Sequence, residues 1–298
     1  MIRRNFFTND AVAQQFLDGV NILKDPARSP WPGQAGLSLY DVFVFWHHQS
    51  MMLMTPPGQT ERNAAHSGPA FLPWHRYFLL RLEGFLQEAL NDAEFRIPYW
   101  DWCADADLPN PSTSAIWSSS NLGQFASSAW VVRLAMNPTN GGLERVNRQL
   151  QRALGAEGRL PRRADVRTVL RDQTGYDSSP YNSSSSSGVR NFIEGWVGPA
   201  RLHNNVHVWV GGDMQLSSSP NDPTFFLHHC NVDRIWAAWQ EKYPAASYLP
   251  DMSAPASLQF HRIDDALYSV FEETITPRNM LDYKTSYEYD SLADLTGP

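Results

Sequence analysis

Cysteine is nearly absent: this 298-residue chain holds two, Cys103 and Cys230. Two residues build neither a disulfide framework nor a thiolate metal site, and they leave room for one bridge at most. So low a content fits a reducing compartment without requiring one. Charge is also sparse, at 18% of residues, yet the hydrophobic share is 42%, which excludes a disordered or coiled-coil chain. The net charge of -7 comes without any basic cluster, so nucleic acid and anionic membrane surfaces are not expected partners. No apolar run approaches the ~20 residues that a membrane-spanning helix needs. The pair Arg3-Arg4 resembles the start of an export signal, but Asn9, Asp10 and Gln14-Gln15 interrupt any apolar stretch after it. The expected localisation is cytoplasmic, or export together with another protein that carries the signal.

Aromatic residues are plentiful, with 11 Trp, 11 Tyr and 15 Phe. Core packing absorbs most of them, and some are available to line a pocket. The serine run 183–187 beside the sequon Asn182-Ser183-Ser184 reads as an exposed loop, too short to separate domains. Without internal repeats or a convincing linker, residues 1–298 are read as a single domain.

Four segments carry helical periodicity. Ser38 and Asp41 have the spacing of a capping box, after which Leu39, Phe43 and His47 share a face. Pro73 precedes a run in which His75, Phe78, Leu79, Leu82, Leu86 and Leu90 recur at helical spacing. A third helix is predicted over 201–210, ended by Gly211-Gly212, and a fourth over 223–241 with His229, Val232, Asp233 and Trp236 on one side. Short strands are predicted near 96–99 and 286–289. The fold class is therefore mainly α: a four-helix bundle core wrapped by long loops with a few short strands.

Eight of the nine histidines fall in two groups, 47, 48, 66 and 75, then 203, 207, 228 and 229; His261 stands apart. His203 and His207 are four residues apart, so on a helix both imidazoles reach one ion. His229 on the next helix is placed to complete a triad. His47 and His75 lie on separate helix faces, with His66 in the loop between them. Each group offers imidazoles without a carboxylate or thiolate, a donor set for Cu, Zn, Fe or Ni. Zn hydrolases usually add a carboxylate ligand, which leaves a Zn hydrolase as the remote reading.

From about Leu39 to Tyr289 the chain resembles the type 3, binuclear copper proteins, and among them the bacterial tyrosinases. The first motif is Trp46-His47, His66 and Phe71-Leu72-Pro73-Trp74-His75-Arg76, followed by Pro98-Tyr99-Trp100-Asp101-Trp102. The second is Leu202-His203-Asn204-Asn205-Val206-His207, Gly211-Gly212, Asn221-Asp222-Pro223, Phe225-Phe226-Leu227-His228-His229 and Asn231-Val232-Asp233-Arg234-Ile235-Trp236. The resemblance implies two copper ions with O2 as co-substrate, one ion held by His47, His66 and His75, the other by His203, His207 and His229. It implies that His48 is not a ligand, since it should point roughly 100° from His47. Asp233, one turn after His229, is expected to support the ligand side from behind. His261 matches nothing in the pattern and is expected at the surface.

The resemblance also implies that Glu194 and Asn204 hold a water that deprotonates an incoming phenol. The alternative is that Glu194 is a structural carboxylate. Phe225, Val208 and Ser217 are the expected pocket residues, Phe225 either stacking on the substrate ring or packing in the core. Met51, Met52 and Met54 either pack or touch Cu(I) transiently. Ala64 stands where fungal relatives carry a cysteine joined to histidine, so that cross-link is not expected. Cys230 reads as a buried small hydrophobe. Tyr287-Glu288-Tyr289 resembles the aromatic pair that closes the catalytic domain. No C-terminal shielding domain is expected after it, and a copper-delivering companion protein of the caddie type is the expected partner. The implied activity is oxidation of small phenols: hydroxylation of monophenols and conversion of o-diphenols to o-quinones. An o-aminophenol or catechol oxidase is the close alternative, and a reversible O2 carrier uses the same centre.

Overall fold

A computed structural model describes residues 1–297. The chain opens with β1 (Ile2–Arg3) and α1 (Asp10–Lys24), then α2 (Leu39–Met52), α3 (Phe71–Leu90) and the short α4 (Trp102–Ala106). A hairpin of β2 (Val131–Met136) and β3 (Leu143–Gln149) precedes α5 (Arg163–Asp172), α6 (Val189–Glu194) and α7 (Leu202–Val210). The long α8 (Thr224–Lys242), β4 (Glu288–Tyr289) and α9 (Ala293–Thr296) complete it. The four predicted helices are α2, α3, α7 and α8, and they surround the histidines. None of the described helices is long and apolar enough to cross a membrane.

Local chemistry explains where these helices start and stop. Asp41 Oδ2 accepts both the Ser38 N–H and the Ser38 hydroxyl at 2.9 Å, the predicted capping box, while its Oδ1 accepts from Lys24 Nζ at 2.5 Å and ties α1 to α2. Pro73 sits inside the first turn of α3, where a missing N–H costs no intrahelical bond. Gly211 ends α7 at φ 69°, and a Cβ there would lie 2.9 Å from Ala153 Cβ. Only a residue without a side chain fits that turn.

Several elements depart from the prediction. Helix α1 buries Ala13, Phe16, Leu17, Val20 and Leu23 at helical spacing, a pattern broken on its other face by Gln14-Gln15. Neither the β2–β3 hairpin nor α5 was signalled. The segment 96–99 forms a single bridge, Asn5 to Tyr99, because the Glu83 side chain takes the Ile97 N–H at 2.9 Å in place of a partner strand. The serine run 183–187 is a loop, but Ser185 is fully buried, with its carbonyl accepting from Asn191 Nδ2 at 2.8 Å. Cys103 and Cys230 are both buried and free, and burial first of all pushes the Cys230 thiol up to about 12.

The two ends of the chain meet over α8. Strand β1 pairs in parallel with β4, which places Arg3 beside Tyr289. Asp233 on α8 then gathers a buried network. Its Oδ1 accepts from Arg76 Nε at 2.6 Å, and its Oδ2 accepts from Arg3 Nη1 at 3.2 Å, Tyr287 OH at 2.5 Å and Tyr289 OH at 2.6 Å. Arg3 also donates to Glu83 on α3 at 3.2 Å and lies 3.6 Å over the Tyr287 ring. Burial raises the Asp233 pKa, but Arg76 and Arg3 outweigh it and hold the carboxyl below its ordinary value. This corrects the expectation that Asp233 supports a ligand histidine: no imidazole is among its partners. Breaking a buried pair by removing one side leaves a desolvated charge, at about 3–5 kcal/mol. Arg3→Ala should therefore destabilise the fold by that amount in urea denaturation. A loss below about 1 kcal/mol would show that β1 is not held by its charge.

Candidate metal centre

Two groups of histidines converge in the bundle. His47 from α2, His66 from the α2–α3 loop and His75 from α3 form one; His203 and His207 from α7 with His228 and His229 from α8 form the other. Within each group the ring nitrogens lie within 4.8 Å of one another. The groups face each other: the His75 and His229 rings stack with centroids 4.2 Å apart and planes 9° apart, and His66 lies 6.1 Å from His203.

The rings are oriented by main-chain carbonyls. Nδ1 of His47 donates to Ser217 O at 2.7 Å, His75 to Phe71 O at 2.8 Å, and His207 to Met214 O at 2.5 Å. His203 Nδ1 lies 3.2 Å from Glu194 O. A carbonyl only accepts, so each of these Nδ1 atoms carries the proton and each Nε2 is left with a lone pair. On His47, His75 and His203 that Nε2 is buried without a partner. Buried polar atoms are normally satisfied, so several orphaned imidazole nitrogens pointing together fit a metal site. The Nε2 atoms of His207 and His229 are 3.4 Å apart, close to the ~3.3 Å tetrahedral edge expected for imidazoles at the usual metal–nitrogen length. An all-imidazole set without thiolate or carboxylate fits copper.

Above the histidines opens a cleft of about 440 Å³, lined by Met51, Trp196, Arg201, Asn204, Val208 and Leu216 among others. Val208 is thus at the cleft wall. Phe225 and Ser217 are not, which corrects two expectations. Phe225 is fully buried, its ring 4.1 Å from His229 and 5.0 Å from His47, so it packs between the two groups. Ser217 turns inward: its carbonyl orients His47, and its Oγ lies 2.8 Å from His48 Nδ1, which accounts for that histidine outside the ligand groups. Of the three methionines, Met51 reaches the cleft, Met52 is 47% exposed, and Met54 forms a bridge with Asn63.

Glu194 closes α6 and is fully buried. Its Oε1 accepts from the Ser67 N–H at 2.5 Å and its Oε2 from Arg190 Nη1 at 3.0 Å. It thereby joins the loop of His66 to the ring of His203. Burial raises its pKa, opposed chiefly by Arg190. Asn204 Oδ1 lies 3.0 Å from His203 Nδ1, and the side chain borders the cleft. His228 is an addition from the structure: it is fully buried, stacks 5.2 Å from His203, and has no partner at either ring nitrogen. Its place next to His229 was the available signal.

His261 is the clearest correction. It is buried rather than exposed, with Nε2 2.9 Å from Thr55 Oγ1, its carbonyl accepting from Tyr248 OH at 2.9 Å, and its ring packed on Gly68, where a Cβ would come within 2.9 Å. It braces the loop that carries His66 across 206 residues of chain, a distance at which no local pattern signals a contact.

Comparison with known proteins agrees with this geometry. The common central domain of tyrosinase matches residues 37–242. The chain belongs to the tyrosinase family, and with it to the copper phenol oxidases. The tyrosinase of Streptomyces antibioticus is 39% identical over 267 residues, covering 84% of this chain and 89% of its own. A grixazone synthase of Streptomyces griseus is 32% identical over 291 residues, covering 85% of this chain and 90% of its own. In fold, the family member is similar to a polyphenol oxidase from Thermothelomyces thermophila, with TM-score 0.68 at 19% identity over 98% of this chain and 89% of that one. An octopus hemocyanin unit is similar at TM-score 0.57 and 22% identity, over 98% of this chain and 68% of that one.

The buried imidazoles make the metal-free protein sensitive to acid. Desolvation first of all lowers His47 to about 3, His207 to about 4 and His261 to about 3, against an ordinary 6.5. The unfolded chain therefore binds more protons than the folded one below 6.5. Stability from these groups is complete above that pH and is lost progressively toward pH 3–4. Thermal melts of the apoprotein should fall steadily from pH 7 to pH 5; a flat profile would mean that these rings are not held neutral in the fold.

Proposed function

We propose that this family member oxidises monophenols and o-diphenols to o-quinones, with two copper ions and O2. The observation that carries the reading is the pair of facing imidazole groups at the floor of an open cleft. In this reading His47, His66 and His75 hold one ion, and His203, His207 and His229 the other. Bound copper supplies the redox chemistry, with O2 as the oxidant.

The remaining work belongs to the chain. Carbonyl-anchored rings present nitrogens in fixed positions, so the donor set needs no rearrangement as charge changes. Phe225 fills the space between the groups and excludes water from below. Val208, Met51 and Leu216 give the cleft apolar walls for a flat ring. A phenol ionises only near ~10, whereas coordination requires phenolate. Asn204 at the cleft wall, with Glu194 behind His203, supports the placement of a water that accepts the phenol proton. Glu194 also anchors the His66 loop, so its two readings coexist in one residue. The grixazone synthase relative favours one second reading, an oxidase of o-aminophenols or catechols with weak monophenol hydroxylation. A copper-delivering companion protein would find the mouth of the cleft marked by Trp196, which is 47% exposed.

His207→Ala should halve the copper content of the loaded protein and abolish o-diphenol oxidation. Near-normal catechol turnover in that variant would overturn the ligand assignment. Asn204→Ala, at unchanged copper content, should depress monophenol hydroxylation by ~10²–10⁴-fold while sparing o-diphenol oxidation. Equal losses on both substrates would reduce Asn204 to a packing residue.

A further inference from the structure

The cleft has a mouth as well as a floor, and its charge is one-sided. The connection between α6 and α7, residues 195–201, folds back on itself. Gly195 has φ 100°, and a Cβ there would meet the Arg201 carbonyl carbon at 2.8 Å. Arg201 takes the left-handed region at φ 44°, which is uncommon for a residue with a side chain, and its carbonyl receives the Asn205 N–H at 2.7 Å. Two close main-chain contacts thus fix where the Arg201 side chain departs, two residues before His203. Trp196 stands on the same connection.

The Arg201 side chain is exposed, and its Nε donates to Gly195 O at 3.3 Å. Neither Nη atom has a protein partner, and no carboxylate pairs with it among the described residues. No Asp or Glu lines the cleft, while Arg201 does. Glu194, at the end of α6 just before this connection, is buried and taken up by Arg190 and the Ser67 N–H. The mouth therefore presents an uncompensated guanidinium on a chain whose overall charge is -7. A guanidinium offers a planar fork of donors that matches a carboxylate.

We propose that Arg201 is a specificity-determining residue that favours phenols bearing a carboxylate on the side chain opposite the reacting hydroxyl. This rests on the phenol-oxidase reading above. With the hydroxyl at the floor, a para substituent points up toward the mouth, where Arg201 meets its terminal anion and the face of Trp196 covers the linker. Because the pair is partly exposed, its contribution is modest, about fivefold in kcat/KM, and it falls with salt.

The test compares matched substrates in copper-loaded wild type, Arg201→Gln, Arg201→Lys and Arg201→Glu. The substrates are 3-(3,4-dihydroxyphenyl)propionate, its primary amide, and dopamine; neutral 4-methylcatechol is assayed with the wild type. Each variant is scored by its own acid-to-amide ratio of kcat/KM, which cancels any loss common to both substrates. The wild type should prefer the acid about fivefold, through KM and less so at high salt. Arg201→Gln should bring the ratio to about one, Arg201→Lys should keep part of the preference, and Arg201→Glu should turn it toward dopamine. An acid-to-amide ratio that is the same in wild type and Arg201→Gln overturns the proposal. Failure of the wild type to oxidise 4-methylcatechol would instead overturn the phenol-oxidase reading. L-DOPA against the propionate then distinguishes an amino acid from a simple aromatic acid as the source of the carboxylate, and a preference for either over its amide supports the assignment.

Discussion

The hydrogen bond from an imidazole Nδ1–H to a main-chain carbonyl is the interaction on which the centre depends. It sets the tautomer, aims Nε2, and fixes the ring without adding charge to a dry site. Four rings use it, and their acceptors come from different parts of the chain: Ser217, Phe71, Glu194 and Met214. Only Phe71 lies in the same helix as its ring, one turn earlier. Glu194 closes α6, and Ser217 and Met214 lie in the connection between α7 and α8, so the segments that wrap the bundle are parts of the site. A loop that shifted would turn a ring, and a turned ring would lose its nitrogen from the group.

That arrangement has a cost. Seven imidazoles facing one another, six of them buried and His207 partly open to the cleft, are all held neutral by desolvation, and His47, His75 and His203 leave Nε2 unsatisfied. The fold must be stable enough without metal to hold such groups apart from water. The network around Asp233 supplies stability one turn beyond His229 on α8. It joins α3, α8, β1 and β4 through Arg3, Arg76, Glu83, Tyr287 and Tyr289. Arg76 follows His75 directly, so one helix carries a ligand-group residue and a network residue side by side. The first and last strands of the described chain thereby clamp the helices that carry His75 and His229.

Much of this was legible in the sequence because the informative pairs are close along the chain. The capping box of Ser38 and Asp41, the four-residue spacing of His203 and His207, and the glycine pair after α7 each report on geometry within one or two turns. What was missed depends on distant partners. His261 looked like a surface residue, since its contacts with Thr55 and Gly68 have no local signature. Ser217 was assigned to the pocket by its neighbourhood, yet a single turn of backbone sends Gln215 and Leu216 to the cleft and Ser217 into the core. Asp233 was read from its one-turn offset to His229, but an opposed pair of arginines outcompetes any imidazole for a buried carboxylate. The segment 96–99 lost its strand to a side chain, Glu83, that pattern reading cannot place beside it.

The same division separates chemistry from selectivity in the cleft. The floor is built from helices and from residues whose positions are over-determined by packing: His75 is stacked on His229, Phe225 is wedged between the groups, and His203 is bound on one side by Glu194. The mouth is built from connections: residues 195–201, and the less buried Gln215 and Leu216 of a segment 212–221 that is otherwise mostly buried. Trp196 and Arg201 stand there, half-exposed or exposed, each with a free face toward solvent. A rigid floor and a substitutable rim let one redox centre serve different ring substituents. Within this framework, the reaction follows from the imidazoles and the choice of phenol from the rim, and in this chain the rim carries a guanidinium with no acid to answer it.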